Sequence, residues 1–293
     1  MTTDTHKSLI AAPPVWFVTG CSTGFGRALA TLLLERGDRV VVTARDPETV
    51  RDFVSKGEAL ILPLDVTDNG AIETAVKAAE ARFGVIDVLV NNAGIGYFAA
   101  IEQGEDLQVR RLFDINVFGL ARMIQAVLPG MRNRRKGYIV NMSSIGGLMS
   151  FPALGYYNAS KFAVEGLSEA LWQEVEPLGI GVMLVEPSGF RTDWAGRSAN
   201  ESQRRIDDYQ TTAGVALQRL REGSGQQEGD PTRAAKAIVD AIESEAPPHR
   251  LLLGNFAYDG AMARLEELRR EFTAGETIAR GADYPKVGHA NAA

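Results

Sequence analysis

The sequence predicts an α/β fold: a doubly wound parallel sheet of about seven strands with helices on both faces. Short runs of β-branched and other apolar residues alternate with segments whose apolar residues recur at helical spacing. The strand runs lack an apolar–polar alternation, which indicates burial on both faces. Strands that alternate with helices pair in parallel through right-handed crossovers. Ligands of such sheets bind beyond the carboxyl ends of the strands, so we expect the functional site at that edge.

The predicted elements follow one another without a long gap until residue 193. The strands are the apolar runs at residues 15–19, 39–43, 59–63, 86–90, 138–142, 180–186 and 251–253. The helices run from the glycine-rich turn to about residue 36, and over residues 69–83, 105–130, 155–176, 231–243 and 258–273. Pro231, near the start of its helix, suits a first turn because its missing N–H has no helical partner there.

The chain is predicted to form one domain. Its 293 residues exceed the ~150 typical of a domain, but no internal repeat or linker divides it. We expect an N-terminal tail at residues 1–14, a catalytic domain at 15–280 and a loose tail at 281–293. Residues 193–230 are polar and rich in Gly, Gln and Arg, and we expect a substrate lid there.

Composition excludes several classes of protein. The net charge of −6 offers no electrostatic footprint for nucleic acid or an anionic membrane. The single cysteine, Cys21, permits no internal disulfide, and the three scattered histidines give no metal-ligand spacing. Residues 1–14 do not resemble a signal peptide, and no apolar run approaches ~20 residues. We therefore expect a cytoplasmic protein with no metal, nucleic-acid or membrane partner.

A glycine-rich loop follows the first predicted strand. Glycines let the backbone turn tightly and approach a pyrophosphate, and the following helix offers unpaired N–H groups to that anion. A ligand-free turn is the alternative, but the position directly after the first strand makes it the weaker one. Cys21 is expected to be a small filler. The residues expected to contact a dinucleotide are Gly20, Ser22, Thr23, Gly24, Phe25 and Gly26.

The end of the second predicted strand favours NADP(H) over NAD(H). NAD-binding sheets usually carry an acidic residue here, whereas this chain has Ala44 followed by Arg45. A guanidinium matches a 2′-phosphate through charge-assisted, bidentate hydrogen bonds. The alternative is a surface arginine that pairs with Asp46 or Glu48. The absence of an acidic residue at Ala44, together with the presence of Arg45, favours a role for Arg45 in binding the 2′-phosphate.

Three further segments lie beyond predicted strands or on the helix that follows. They are NNAG at residues 91–94, NMSS at 141–144 and YNASK at 157–161. With the TGxxxGxG loop, which is wider than the common GxGxxG pattern, these segments span residues 15–192. In that order they resemble the classical short-chain dehydrogenase/reductase family, closest to the branch of retinol and hydroxysteroid dehydrogenases and bacterial carbonyl reductases. The resemblance implies a Rossmann-type fold and nicotinamide-dependent hydride transfer.

Tyr157 and Lys161 form the predicted proton-transfer pair. Hydride transfer to a carbonyl builds negative charge on oxygen, which a proton must neutralise. A tyrosine hydroxyl has a pKa near ~10, and a lysine one helical turn away should lower it. The alternative is a half-buried structural tyrosine like Tyr156, but only Tyr157 has a lysine four residues later.

The resemblance implies the other roles. The family's serine stands thirteen positions before the tyrosine, which selects Ser144 over Ser143; such a hydroxyl polarises the substrate oxygen. Asn116 is implied as the fourth catalytic residue, and Lys161 as a ribose contact. Further implied cofactor contacts are Asp65, Val66, Asn91, Ala93, Gly94, Tyr157, Pro187, Gly189 and Thr192. Ser188 stands where the family usually has glycine, and we expect Gly189 to absorb the backbone strain.

An apolar wall beside these segments suits a hydrophobic ketone or secondary alcohol. Phe190 and Trp194 are its strongest members because they open the predicted lid. The remaining candidates are Ile95, Tyr97, Leu148, Met149, Phe151 and Leu154. The leading prediction is an NADP(H)-dependent carbonyl reductase or alcohol dehydrogenase.

Two other functions stay open at this point. A β-ketoacyl thioester reductase would use a basic patch at Arg191, Arg197, Arg204 and Arg205. A non-catalytic NADP-sensing regulator needs no working tyrosine or lysine. The resemblance also implies a homodimer or homotetramer built through the helices at residues 105–130 and 155–176.

Overall fold

The computed structural model describes residues 13–196 and 198–284. Most of both predicted tails, and Arg197, therefore lie outside the described residues. The nine described strands are β1 (Val15–Val18), β2 (Arg39–Ala44), β3 (Ala59–Pro63), β4 (Val88–Asn91), β5 (Gly96–Phe98), β6 (Gly137–Met142), β7 (Ile180–Pro187), β8 (Ala199–Glu201) and β9 (Arg250–Leu253). Seven of them form one parallel sheet in the order β3-β2-β1-β4-β6-β7-β9, which confirms the predicted fold class.

Helices cover both faces of the sheet. The described α-helices are α1 (Gly24–Glu35), α2 (Asn69–Phe83), α3 (Asp106–Phe113), α4 (Leu120–Arg134), α5 (Gly155–Val175), α6 (Val215–Glu222), α7 (Pro231–Ile242), α8 (Asn255–Ala274) and α9 (Glu276–Gly281). Helices α1 and α7 pack on one face, and α2, α4 and α5 pack on the other. The sheet is thus buried on both sides, as its uninterrupted apolar strands predict.

Alternating strand residues supply the two halves of the core. In β1, Val15 and Phe17 join the cluster beneath α2, α4 and α5, while Trp16 and Val18 join the cluster beneath α1 and α7. All four are at most 1% exposed. Successive strand side chains point to opposite faces, so a fully apolar strand is needed to fill both clusters.

Short elements escaped the sequence prediction. Strands β5 and β8, three residues each, pair in a separate two-stranded sheet. Residues Pro47–Ser55 form a 3₁₀ helix, and a π-helical turn at Asp114–Gly119 divides the predicted helix 105–130. The described part of the predicted lid, residues 193–230, contains β8 and α6 between turns and irregular stretches.

One helical stretch has the dimensions of a membrane span. Asp106–Arg134 is long and apolar enough by length and composition, but 50% of its apolar window is buried inside the protein. Leu120, Met123, Ile124, Val127 and Met131 all face the core. This burial is that of a core helix packed on a sheet.

Candidate active site

The glycine loop is held in place by the segment that follows β4. The Thr19 hydroxyl oxygen accepts hydrogen bonds from the N–H groups of Asn92 and Ala93, each at 2.9 Å. The Asn92 amide donates to the carbonyls of Thr19 and Gly20, also at 2.9 Å. Asn92 was not predicted, although its place in the NNAG segment was the available signal. Gly20 has a φ of +73°, which favours glycine.

The loop and the start of α1 fit a pyrophosphate. A Cβ at Gly26 would lie 2.5 Å from the Gly20 carbonyl oxygen, so the tight turn requires glycine there. Thr23 precedes α1 without a side-chain capping bond, which leaves first-turn N–H groups available to an anion. A cavity of about 480 Å³ lies beside them, lined in part by Ser22, Thr23, Gly24 and Thr192. The predicted dinucleotide loop therefore has the shape and the donors that such a ligand needs.

A second cavity, of about 820 Å³, contains Arg45 and Asp65 in its wall. Burial acts to raise the pKa of Asp65, but hydrogen bonds from Thr67, with the charges of Arg45 and Arg111, hold it below its usual value. Glu48 pairs with Arg51 at 3.1 Å. Within the described ranges Arg45 makes no ion pair, so its predicted alternative partners do not occupy it.

Asn116 lies in the π-helical turn between α3 and α4. Its amide oxygen accepts from the Ile95 N–H at 2.9 Å, and its amide nitrogen donates to the Ile95 carbonyl at 3.0 Å. The same nitrogen donates to the Ser160 hydroxyl at 3.2 Å. A Cβ at Gly94 would lie 3.3 Å from the Asn116 side chain, so the two residues meet closely. The wide π-helical turn thus points the Asn116 side chain towards Ser160, the residue before Lys161. Such turns occur frequently at functional sites.

Asn91 braces the sheet edge from within. Its amide donates to the Asn141 side chain at 2.9 Å, and Asn141 donates in turn to the Ser168 hydroxyl at 2.8 Å. All three residues are at most 4% exposed. The contacts support a bracing role for Asn91 between β4, β6 and α5.

Tyr157 is buried, and its environment changes the predicted pKa. The side chain is 7% exposed, and its ring lies 4.7 Å from that of Trp194, measured between centroids. Burial raises the pKa of Tyr157 to about 12, opposed by a hydrogen bond with Ser144. The prediction of a pKa lowered by Lys161 is therefore wrong: burial dominates, and the group that opposes it is Ser144. The Lys161 ammonium lies 5.7 Å from the centre of the Tyr157 ring, and its hydrogen bond goes to the Met142 carbonyl at 2.7 Å.

Ser144 and Ser143 differ in what they bond. The Ser143 hydroxyl donates to Glu165 and is buried. The Ser144 oxygen accepts from the Gly146 N–H at 3.0 Å, and its hydroxyl lies 3.5 Å from the Pro187 carbonyl. Ser144 is therefore the serine that faces Tyr157, while Ser143 is committed to the interior.

The segment after β7 shows no strain at the substituted glycine. Neither Ser188 nor Gly189 has a positive φ, so the expectation that Gly189 absorbs strain is wrong. Ser188 instead donates its N–H to the Leu253 carbonyl at 3.0 Å and extends the pairing of β7 with β9. Gly254 leaves room for the serine, since any Cβ there would collide with the Ser188 hydroxyl.

The predicted apolar wall divides into two groups. Ile95, Tyr97, Leu154 and Trp194 pack around Tyr157. Phe190 does not belong to this group, which corrects its predicted substrate role. It is 8% exposed, and its ring packs 5.0 Å from that of Phe25, which places it in the core beneath the glycine loop.

The second group lies on the side of the site that faces α8. Leu148 and Met149 pack against Ala257 and Ala261 of that helix. Phe151 lies between the groups, with its ring 6.0 Å from that of Phe256. The wall is therefore continuous from Trp194 to the start of α8.

Arg221 fastens the segment that carries Trp194. Its guanidinium donates to the carbonyls of Ala195, Gly196 and Ala199 at 2.7, 3.0 and 3.2 Å. It also donates twice to the Glu201 carboxylate, at 3.3 and 3.2 Å. One side chain thus ties α6 to β8 and to the turn before it.

Replacing Arg221 with methionine should loosen this segment. Losing several hydrogen bonds of ~1 kcal/mol each raises the population of locally open chain by at least ~10-fold. Limited proteolysis should cleave residues 193–230 faster by about that factor. Arg219→Met, on the exposed side of the same helix, is the matched control. Equal cleavage rates for the two variants would contradict the role given to Arg221.

Fold and site together define a Rossmann-type protein with a glycine loop after its first strand and a tyrosine–lysine pair at the carboxyl edge of its sheet. Residues 14–203 match the short chain dehydrogenase family. The chain belongs to the short-chain dehydrogenase/reductase family and is an oxidoreductase of that family.

Relatives agree with this assignment. The chain is 39% identical to oxidoreductase BOA17 of Botryotinia fuckeliana, over 87% of this chain and 93% of that protein. It is 38% identical to the 3-ketodihydrosphingosine reductase of Bacteroides thetaiotaomicron, over 83% of this chain and 88% of that protein.

Solved structures share the fold. A short-chain dehydrogenase from Streptomyces avermitilis is 42% identical and superimposes with a TM-score of 0.87, over 93% of this chain and all of that one (100%). A Burkholderia phymatum family member in complex with NAD is 25% identical, with a TM-score of 0.79 over 89% and 95% of the two chains. A metagenomic member in complex with NADP is 33% identical, with a TM-score of 0.58 over 61% and 84%.

Proposed function

We propose that this chain is an NADP(H)-dependent oxidoreductase that transfers hydride between the nicotinamide and a hydrophobic ketone or secondary alcohol. The observation that carries the proposal is the convergence of Ser144, Tyr157 and Lys161 at one edge of the sheet, beside the glycine loop. Tyr157 is within hydrogen-bonding reach of Ser144, and Lys161 lies over its ring. A buried proton donor beside a polarising hydroxyl is what carbonyl reduction requires.

Each polar side chain has a role in the proposed reaction. Bound NADPH supplies the hydride. Ser144 donates a hydrogen bond to the carbonyl oxygen of the substrate and stabilises the charge that develops there. Tyr157 donates the proton that completes the alcohol; its raised pKa keeps it protonated at neutral pH, which is the form that reduction needs. Lys161, with Asn116 behind it through Ser160, holds positive charge and hydrogen-bond donors beside Tyr157.

Arg45 supports the preference for NADP(H). It directly follows Ala44, the last residue of β2, so that position lacks the acidic residue that usually holds unphosphorylated ribose hydroxyls and would repel a phosphate. Two other arginines of the same cavity wall are paired: Arg110 with Asp106 and Arg122 with Asp114, each at 2.8 Å. Among the described residues, Arg45 and Arg111 make no such close ion pair, and the nearby Asp65 carboxylate acts on both only through space. A 2′-phosphate could therefore accept charge-assisted hydrogen bonds from Arg45.

The apolar surroundings of Tyr157 support a hydrophobic substrate. Tyr97, Leu154 and Trp194 pack against it. The name of the 3-ketodihydrosphingosine reductase relative describes the reduction of a keto group. A ketone on an apolar chain is accordingly the substrate class to test first.

The thioester alternative would use a basic patch whose three described arginines are already engaged in local contacts. Arg205 pairs with Glu201 at 3.0 Å, and Arg191 donates to the Gln227 carbonyl at 2.7 Å. Arg204 lies 3.5 Å from the Gly104 carbonyl. The three described arginines are thus used in holding local structure. The regulator alternative would need no Tyr157 or Lys161, and both are present at the site.

Cofactor oxidation with a panel of ketones and β-ketoacyl thioesters tests the proposal. Turnover of apolar ketones with NADPH, faster than with NADH, is the expected result. Tight NADPH binding without turnover of any panel member would favour the regulator, and turnover of thioesters alone would favour the alternative enzyme.

Ser144→Ala should reduce kcat about 100-fold, because a donor to the developing oxyanion is lost. Steady-state kinetics with the best ketone from the panel measures this effect. Ser143→Ala is the comparison: it breaks a buried bond to Glu165, so it should lower the unfolding temperature more than it lowers kcat. A larger loss of kcat in Ser143→Ala than in Ser144→Ala would overturn the assignment of the serine.

The proposed enzyme works in the cytoplasm as a homodimer or homotetramer. Exposed apolar side chains on the helices expected to assemble support self-association: Leu107, Phe118 and Phe162 are 80%, 54% and 45% exposed. Burying such side chains between copies removes apolar area from water. Mass photometry at nanomolar concentration measures the assembly state directly.

A further inference from the structure

A partly buried ionic cluster, formed by Glu165, Glu169, Glu186 and Arg250, lies directly behind the proposed catalytic residues. One terminal nitrogen of Arg250, on β9, is 2.5 Å from the Glu165 carboxylate and 2.5 Å from the Glu186 carboxylate. Glu165 is 5% exposed and Glu186 is 0% exposed. The other terminal nitrogen pairs with Glu169, whose side chain is 50% exposed. The mechanism proposed above uses none of these four residues.

The cluster is connected to the site along three elements. Glu165 lies on α5, one helical turn beyond Lys161, and accepts a hydrogen bond from Ser143 at the end of β6. Glu186, on β7, directly precedes Pro187, whose carbonyl oxygen lies 3.5 Å from the Ser144 hydroxyl. Changes of charge in the cluster therefore occur close to the lysine and beside the serine.

Two carboxyl groups share one guanidinium. Burial, and after it the neighbouring Glu165, raise the pKa of Glu186 to about 7 against the opposing charge and hydrogen bond of Arg250. One oxygen of Glu186 has no hydrogen-bond partner among the described residues. Like charges this close in a water-poor interior do not both ionise readily, so the pair retains a proton up to about neutral pH.

We propose that Glu165, held by Arg250 and Glu186, is a positioning residue that keeps Lys161 in its charged form. Its carboxylate acts on Lys161 through space along α5, and Arg250 fixes where that carboxylate lies. The catalytic meaning of this role rests on the proposed function, whereas the electrostatic coupling itself does not.

The surroundings of Lys161 supply the physical reason. Lys161 is 7% exposed; burial lowers its pKa to about 8, and Glu165 opposes that fall. The other groups around it are the carbonyl of Met142, the ring of Tyr157 and, through Ser160, the neutral amide of Asn116. Charged or titratable groups on the elements packed here include Tyr157, Glu165 and the exposed Glu169 on α5, Tyr97 on β5, Asp114 of the π turn (paired with Arg122), Glu186 on β7 and Arg250 on β9. Of these, Glu165 is the carboxylate that supports the cation.

Carbon-13 NMR of protein labelled at lysine Cε measures the titration of Lys161 directly. The chain has seven lysines, and the Lys161 signal is identified by its absence from Lys161→Met. In Glu165→Gln the midpoint should fall by about one pH unit, because burial then acts without the opposing carboxylate. Glu186→Gln should lower it less, since that carboxyl acts on Lys161 from farther away.

Glu169→Gln is the matched control. Glu169 lies on the same helix as Glu165 and pairs with the same arginine, but its side chain is exposed to solvent. Solvent screens an exposed charge, so the Lys161 midpoint should stay unchanged in this variant. Glu165→Asp keeps the charge and should restore most of the midpoint. If Glu165→Gln does not fold, Glu186→Gln supplies the test of charge removal, and an unchanged midpoint there would contradict the proposal. An unchanged midpoint in folded Glu165→Gln, or an equal shift in Glu169→Gln, would overturn the proposal. So would a midpoint in Glu165→Asp that falls as far as in Glu165→Gln.

A pH–rate profile gives the second readout. The alkaline limb of kcat/KM for ketone reduction should move to lower pH in Glu165→Gln by the same amount as the NMR midpoint. A merely structural role would lower the rate at every pH without moving the limb. Because the NMR titration needs neither cofactor nor substrate, an enzyme inactive on every ketone would count against the proposed function and leave the coupling result intact.

Discussion

Tyr157→Phe should lower kcat for ketone reduction by about 1,000-fold, because it removes the proton donor and leaves the ring in place. The ring keeps its packing against Trp194, so the variant should fold with nearly unchanged stability. Binding of NADPH, followed by fluorescence, should weaken only slightly. Single-turnover kinetics separates this loss of chemistry from any change in product release.

Tyr156→Phe is the neighbouring control. The Tyr156 hydroxyl donates to the Ile101 carbonyl at 2.7 Å, away from Ser144 and Lys161. Its loss should cost ~1 kcal/mol of stability and less than about threefold in kcat. If activity survives in Tyr157→Phe and disappears in Tyr156→Phe, the assignment of the tyrosine is wrong.

Arg45→Ala should raise the dissociation constant for NADPH by about 50-fold and change that for NADH by less than about threefold. The difference follows from the loss of charge-assisted hydrogen bonds to a 2′-phosphate that NADH does not carry. Fluorescence titration with both cofactors measures the two constants without a substrate, so the result does not depend on knowing the ketone.

Two variants make this prediction specific. Arg45→Lys keeps the charge but not the planar fork, and should give an intermediate constant for NADPH. Arg51→Ala removes a nearby surface arginine that is already paired with Glu48, and should change neither constant. Equal losses of both cofactors in Arg45→Ala would show that Arg45 supports the fold rather than the phosphate.

The fold was predictable because its signal is repeated. Each central strand is an apolar run, and β1 alone contributes Val15, Trp16, Phe17 and Val18 to the two core clusters. Strands β5 and β8 were not predictable, since three residues carry no periodicity and their pairing joins segments about a hundred positions apart. The π turn at Asp114–Gly119 was not predicted either, because the helical segments on both sides of it read as one continuous helix in the sequence.

The sequence predicts the candidate site residues where spacing decides between them, but it does not predict their environment. The interval to Tyr157 selected Ser144, and the contacts of Ser143 with Glu165 agree with that choice. The pKa of Tyr157 depends on burial under Trp194, a contact between residues brought together by the fold. Phe190 was misplaced for the same reason: sequence places it at the opening of the lid, but its ring turns inward against Phe25.

From the position of Arg250 in the chain, we expect a fixed order of folding steps while the protein is being synthesised. It lies 85 positions after Glu165 and 64 after Glu186, on the last strand of the sheet. A nascent chain that has left the ribosome only as far as α7 contains both carboxyls but not the guanidinium that balances them. Closing the interior around two uncompensated acids is costly, so that part of the chain should stay open or protonated until β9 docks. The last strand to be made is therefore also the one that seals the interior behind the tyrosine and lysine.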